Sequence, residues 1–483
     1  ASIVSPPFHT YSFLYLQYKV RFIERQLLLY TGTVPNDKKK VFQMKSNRVI
    51  MHKTIPWYDL AVDGSVPVKE ARLEEKSALV GRVGKILLES GTGAWRVREA
   101  MNAIAENLGL ICMADVGLVS IEYSCIENEN SFTQVISLTS TGVNTDRLSE
   151  AEHFVRTFKD TSNGLTLEDA HHLLDDIEKK PENYKVLTAA LASGLACGAF
   201  VFLLGGGPIE MICAFFGAGV GNYIRKIMAG RHLTLLACIA VSVMAACFTY
   251  IGIFNLLQYS LHITSDHEAG YIGAMLFVIP GFPLITSGID VAKQDMRSGI
   301  ERLVYALMII TAATLVGWVA AVLCRLAPSD FALIKMQTGH LILLRLIMSF
   351  CGVFGFSVMF NSSLKMASSA GLIGAFANTL RLTLISFFGI HTAVAAFIGA
   401  AVAGLIASAV NRRLGFPRIT LTVPSVVIMV PGLYMYRAVY NLGTGDFSVG
   451  GQWLISAILI TLAIPLGLIA ARFFTDPKWR HCG

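Results

Sequence analysis

The stretch MLFVIPGFPLITSGIDVAKQD (residues 275–295) opens as membrane-grade apolar sequence, then sets Pro280, Gly281 and Pro283 in the middle of the run. A second stretch, VVIMVPGLYMYRAVYN (426–441), repeats the device with Pro431 and Gly432. Proline inside a helix removes a backbone hydrogen bond and clashes with the preceding turn, and an adjacent glycine loosens the chain further. In hydrocarbon the freed polar groups need partners in protein or along a water-filled cavity. One such break reads as a kink. A matched pair, one in each half of the apolar region, points to a lined cavity where the two meet.

Composition sets the class. The 483 residues are 54% hydrophobic and only 15% charged, with a mean hydropathy of +0.56, below the charge usual for a soluble chain. Charge is unevenly spread. Residues 186–483 carry 18 Lys+Arg against 9 Asp+Glu, residues 71–185 carry 12 against 19, and residues 1–70 carry 10 against 5. This is the pattern of an α-helical polytopic membrane protein with a charged N-terminal part. The basic excess of the apolar part sits in short loops, so it bears on topology and not on nucleic acid. The nine cysteines show neither CxxC nor histidine spacing, and six lie in apolar segments as small hydrophobes, so no metal and no cofactor is expected.

Residues 1–70 form an N-terminal extension. Its first 43 residues lack helical periodicity and signal-peptide features, and are read as a gene-start artefact, with Met44 or Met51 the expected start. Residues 71–185 read as a small α+β domain. Two helices span 71–109, two strands follow in DVGLVSIEYS and FTQVISLTST, and two further helices close it. The last begins with a capping box, Thr166 and Asp169, and stops at Pro181. His171 and His172 are adjacent and so diverge by about 100° on a helix, which reads as a surface helix rather than a metal site.

Ten spans are expected, at 186–205, 207–224, 232–256, 269–291, 301–325, 339–360, 366–385, 390–411, 419–440 and 451–473. Alternate loops hold the lysines and arginines, among them Arg225, Lys226, Lys293, Arg412 and Arg413. The positive-inside rule therefore puts both termini and the α+β domain in the cytoplasm. Spans 4 and 9 carry the Pro-Gly pairs, and spans 2 and 7 carry MICAFFGA and GLIGAFAN. A repeat of five spans inverts its second copy, so residues 186–330 and 336–475 are expected to form two inverted five-span repeats, an architecture of secondary transporters.

Past each Pro-Gly pair the helix can restart, with Pro283 suited to a first turn. Both restarted helices would point unpaired N–H groups at the midplane, where they suit a carboxylate. The expected substrate site is thus Pro280, Gly281, Pro283, Thr286, Ser287, Pro431, Gly432, Tyr434 and Tyr436. Asp290 is a candidate proton carrier or an interfacial acid paired with Lys293 or Arg437. Glu210 reads as an exit guard or a headgroup-level acid, and Arg381, His391 and Asn378 stay unassigned.

These marks resemble the threonine/serine exporter family. The resemblance covers about residues 75–475. It rests on LLESGTGAWRVREAMNAIAENLGL, with Ser90, Gly91, Arg96, Val97, Glu99, Leu108 and Gly109, and on IPGFPLITSGID and VPGLYMYRAVY. The sequence departs from the pattern at Ala292–Lys293, where an arginine often precedes an acid. The chain looks like the fused form of exporters that other bacteria split into two chains linked to succinate export. The resemblance implies export of threonine and serine, or of a dicarboxylate, driven by protons from a bacterial plasma membrane. Two other readings fit the sequence less well. A membrane-anchored hydrolase would need Ser90 as nucleophile, yet no GxSxG elbow surrounds it. A channel would need a continuous polar lining. Small-residue faces such as AAFIGAAVAGLIASA (395–409) allow close helix packing, within the chain or in a homo-oligomer.

Overall fold

The computed structural model describes residues 64–138, 141–262, 270–324, 326 and 336–480. The reading of residues 1–43 lies outside these, as do most residues of the loops 261–270 and 327–340.

The charged N-terminal part starts with helices α1 (Leu73–Glu89) and α2 (Ala94–Asn107). Gly91, at φ +94°, turns the chain between them in a conformation that side chains rarely adopt. An antiparallel sheet follows: β1 (Ile111–Val116), β2 (Ser120–Glu127) and β3 (Asn130–Ser137), in the order β1-β2-β3. Three strands replace the two expected from sequence. The reversal falls at Gly117, whose N–H bonds Ser120 O at 2.9 Å, so DVGLVSIEYS is split between β1 and β2. Helices α3 (Thr145–Thr161) and α4 (Leu167–Lys179) complete the unit. The capping box is present, with Asp169 N–H on Thr166 Oγ1 at 3.1 Å and Thr166 N–H on Asp169 Oδ2 at 3.2 Å.

The expectation of a surface position fails for His171, which is buried. Arg82 of α1 donates to its Nδ1 at 3.2 Å and to its carbonyl at 2.9 Å, and also binds Asp175 and Glu178. Arginine only donates, so His171 Nδ1 must be unprotonated. Burial first, and the Arg82 charge second, pull the His171 pKa down to about 4.

The apolar part comprises α5 (Val186–Leu204), α6 (Pro208–Gly230), α7 (Leu235–Leu261), α8 (Gly270–Ala274), α9 (Gly281–Ala292) and α10 (Met296–Cys324). After these come α11 (Thr338–Met359), α12 (Leu364–Phe388), α13 (Thr392–Leu414), α14 (Arg418–Val427), α15 (Gly432–Gly443) and α16 (Phe447–Thr475). Among the described residues, seven helices are long and apolar enough to cross a membrane. The total rises to nine if the bent pairs Gly270–Val278 with Gly281–Ala292 and Arg418–Val427 with Gly432–Gly443 are each one span. The protein is thus a helical polytopic membrane protein. Helix α6, expected as the second of ten spans, falls outside this set. It carries Glu210, Asn222, Arg225 and Lys226, yet it packs on both α5 and α7. Two of its polar groups are spent inside: Asn222 donates to Ala189 O at 3.0 Å, and Glu210 caps its own helix through Gly207 N–H at 3.0 Å.

The neighbour pattern of the two halves matches. In the first, α5 lies on α6, α6 on α7, α7 on α10 and α9 on α10; in the second, α11 lies on α12, α12 on α13, α13 on α16 and α15 on α16. The halves meet through α5 and α11, and they exchange partners, with α9 against α16 and α15 against α10. Many large apolar side chains on these helices are exposed, including Val304, Val322, Phe376 and Leu462. Such patches mark surfaces meant for lipid.

Candidate functional site

The two breaks share one backbone geometry. Pro280 has φ −80° and ψ 61°, and Pro431 has φ −82° and ψ 54°. These are inverse γ-turn values. The closing bonds are Gly281 N–H to Ile279 O at 2.8 Å and Gly432 N–H to Val430 O at 2.9 Å. Each helix then restarts, with Leu284 N–H on Pro280 O at 3.1 Å and Met435 N–H on Pro431 O at 3.0 Å. The bends are 59° and 48°.

The breaks also cross. A Cβ on Gly281 would collide with Val427 of the other broken span, and one on Gly432 would stand 2.7 Å from Leu276 Cδ2. Each glycine therefore admits the first limb of the opposite span. Packing is close here: the cavities beside the breaks are about 30 Å³ each, the share of one water.

The polar residues that follow the breaks divide. Thr286 is buried and donates to Phe282 O at 3.0 Å within its own helix; Ser287 donates to Gly299 O of α10 at 2.8 Å. Tyr436 is buried against Tyr271, the hydroxyls 2.8 Å apart. Tyr434 lies with Pro431 and Gly432 on the wall of one small cavity, edge-on to Trp453 at 5.0 Å. Two residues left unassigned by sequence join it there. Asn378 donates to Ser349 Oγ at 2.9 Å and accepts from Arg381 Nη1 at 3.1 Å, while Arg381 Nε is buried with no partner. His391 is elsewhere, as the N-cap of α13.

Asp290 is fully buried and pairs with neither Lys293 nor Arg437. Its partner is Arg302 of α10, at 3.4 Å. Its Oδ2 also accepts from Ser298 Oγ at 2.9 Å and from Ala94 N–H at 3.2 Å, so it caps α2 of the α+β part. Arg302 in turn donates to Thr92 O at 2.7 Å and Gly91 O at 3.4 Å. The ESGTG turn is thus clamped by one ion pair of the helical part. Gly93 leaves the space that Asp290 Oδ1 occupies, and Oδ1 has no hydrogen-bond partner. Ser90 Oγ is buried and bonded to Ile86 O at 2.7 Å, which accounts for it as a helix stop.

Further bonds secure the joint. Arg98 meets Asp295 at 2.6 Å, Leu118 N–H meets Glu301 at 2.6 Å, Arg297 binds Asp115 and Glu122, and Thr145 N–H meets Phe360 O at 2.9 Å. Burial raises the Asp295 pKa to about 6, against the opposing pull of Arg98.

Between the α+β part and the helices lies a cavity of about 230 Å³. That is the volume of roughly eight waters, room for a small metabolite. Thr286 and Asp290 line it from α9, Gly93 and Trp95 from the residue before α2 and from its start, and Arg418 and Arg472 from α14 and α16. Of the expected site residues, this cavity unites Thr286 and Asp290. Pro280, Gly281, Pro431 and Gly432 gather at the crossing, and Pro283 faces a separate cavity beside Arg302 and Tyr305.

A profile described as "Putative threonine/serine exporter" matches residues 78–324, and a second, "Threonine/Serine exporter, ThrE", matches residues 345–474. The chain belongs to the threonine/serine exporter family. The family is one of transporters, not enzymes. Among curated proteins, the chain is 24% identical over 420 residues to a "Probable threonine/serine exporter" of Mycobacterium tuberculosis, covering 82% of this chain and 75% of that one. It is 22% identical over 420 residues to the "Threonine/serine exporter" of Corynebacterium glutamicum, covering 82% and 81%. It is 28% identical over 246 residues to the "Probable succinate transporter subunit YjjP" of Escherichia coli, covering 49% of this chain and 90% of that one. No solved structure matches the chain.

Proposed function

We propose that this threonine/serine exporter family member moves small carboxylate-bearing metabolites, threonine and serine foremost, out of a bacterial cell across its inner membrane. The observation that carries the reading is the reciprocal crossing of two broken spans with one backbone geometry. Ten spans form two inverted five-span repeats, α6 being the second span. The α+β part and both termini are cytoplasmic. The substrate passes the crossing with its carboxylate toward the restarted helices at Gly281 and Gly432, among Pro280, Pro283, Thr286, Ser287, Pro431, Tyr434 and Tyr436. The proton motive force drives export. Asp290, surrounded by Arg302, Ser298 and the Ala94 amide, carries the coupling proton. The kinship with a succinate transporter subunit supports a second reading, in which the substrate is a dicarboxylate.

Uptake into proteoliposomes under an imposed pH gradient tests this, with labelled threonine, serine and succinate compared. Gly432→Leu is the control, since its side chain would strike Leu276. Gradient-dependent uptake of threonine or serine, lost in the control, is expected. Uptake of succinate alone selects the second reading, and uptake unaffected by Gly432→Leu removes the crossing from the path.

A further inference from the structure

We infer that the 230 Å³ cavity between the α+β part and the helices is a binding site for a zwitterionic α-amino acid, its ammonium on Asp290 and its carboxylate on Arg472. This rests on the export reading but assigns a site away from the crossing, where each cavity holds no more than one water's volume.

Two incompletely satisfied groups make the site. Asp290 is fully buried, and its Oδ2 is committed to Arg302, Ser298 and Ala94, while its Oδ1 has no hydrogen-bond partner. A buried carboxylate oxygen without a donor is costly. A primary ammonium, with three donors, is the group that relieves it. Arg472, also on the cavity lining, sets its guanidinium over Trp479 at 4.7 Å and Trp95 at 5.6 Å. Among the described residues it makes no ion pair. The other arginines of the cavity are taken: Arg96 by Glu99 and Glu152, Arg418 by Ser408, Thr475 and Asp476, and Arg156 by Gly415 O. Stacked guanidinium leaves its edge free for a planar carboxylate.

A pole of each sign sorts substrates. A zwitterion satisfies both. A dicarboxylate satisfies Arg472 and sets its second charge against Asp290, a like-charge juxtaposition that costs affinity. The small hydroxylated side chain of threonine or serine then lies toward Thr286, in what volume remains.

The test is equilibrium binding to the purified full chain in detergent micelles, read by calorimetry. The probes are L-threonine, its methyl ester (no carboxylate), its deaminated 2-hydroxy acid analogue (no ammonium) and succinate. L-Threonine is expected to bind at least roughly thirty-fold tighter than either truncated analogue or succinate, the low end for removing one partner of a desolvated charge pair. Arg472→Lys and Arg472→Gln weaken threonine and leave the methyl ester unchanged. Asp290→Asn weakens threonine and spares the deaminated analogue. The analogue series needs no variant, so misfolding cannot mask the outcome. Gly432→Leu separates this site from the crossing: it still binds threonine while transport stops. Succinate binding as tightly as threonine overturns the zwitterion site. Threonine binding lost in Gly432→Leu but retained in Arg472→Gln places the ligand at the crossing and overturns the assignment while leaving export intact. Transport of threonine without detectable binding loss in any cavity variant has the same meaning.

Discussion

The two restarted helices have the same length, the same proline N-cap and the same first hydrogen bond, yet they serve different surroundings. Nine residues past Gly281 stands Asp290, buried, capping a helix of the α+β part. Nine residues past Gly432 stands Asn441, half-buried, bonded back to Arg437 O of its own helix at 2.8 Å. The first helix ends in ion pairs and a cavity; the second is bordered by rings, with Tyr436 near Tyr271 and Tyr440, and Tyr434 on Trp453. What repeats is backbone, because proline and glycine dictate it locally. What differs is the side chains, so the first restarted helix is harnessed to the α+β part through Asp290, while the second half meets that part elsewhere, at Phe360 O and Gly415 O.

The harshest way to break this comparison is Asp290→Ala beside Asn441→Ala. The first leaves Arg302 buried without its counter-charge, a loss of about 3–5 kcal/mol. The second stays within about 0.5 kcal/mol, as expected for a locally bonded residue. Thermal unfolding in detergent measures both, and equal losses would dissolve the asymmetry. Next come Gly281→Leu and Gly432→Leu. Each drives a side chain into the opposite span, at a cost of about 1–3 kcal/mol, and both should abolish proteoliposome transport to a similar degree. If one retains transport, the crossing is not shared equally by the halves.

A smaller effect separates the joint from the α+β core by pH. His171 has a folded pKa of about 4, below its ordinary 6.5. Its neutral form is favoured by folding, so its contribution is full above 6.5 and declines as pH falls toward 4. Asp295 runs the other way: folding raises its pKa from 3.8 to about 6. Its ionised form is disfavoured in the fold, so stability is gained as pH falls from 6 toward 3.8. Melting temperatures between pH 7 and 4 should therefore fall more steeply in Asp295→Asn than in the unmodified protein, and less steeply in His171→Gln. The smallest effect falls where the halves touch. Tyr271→Phe, in the first limb of the first broken span, removes one hydroxyl partner from Tyr436 and should cost about 1 kcal/mol.

The breaks were legible because proline announces itself: within an apolar run it fixes φ and removes a donor, whatever surrounds it. The capping box at Thr166 was legible for the same local reason. The joint was not. Asp290 and Ala94 lie far apart in sequence, and periodicity speaks only of the face a residue shares with its own helix, so Arg302 gave no sign that it would outcompete Lys293 and Arg437. Arg381 and Asn378 were obscured because the ends of their span were poorly marked. His171 was misplaced because two adjacent histidines on a polar-looking helix suggest solvent, whereas Arg82 supplies the buried partner that lets one of them turn inward. Strand β1 was missed because ICMADV shows no alternation of apolar and polar residues, although Gly109, at φ +75°, turns the chain just before it.

One contact has a further use. Trp95 of α2 meets Trp479, beyond the end of α16, at 5.1 Å, with Lys293 and Arg472 over their rings. Trp318 and Trp453 sit instead beside Tyr440 and Tyr434, near the second break. Among the described residues the tryptophans thus fall into two groups, one at the joint and one near the second break. The Trp95–Trp479 contact exists only while the α+β part stays seated, so a change in the emission of that pair accompanies undocking.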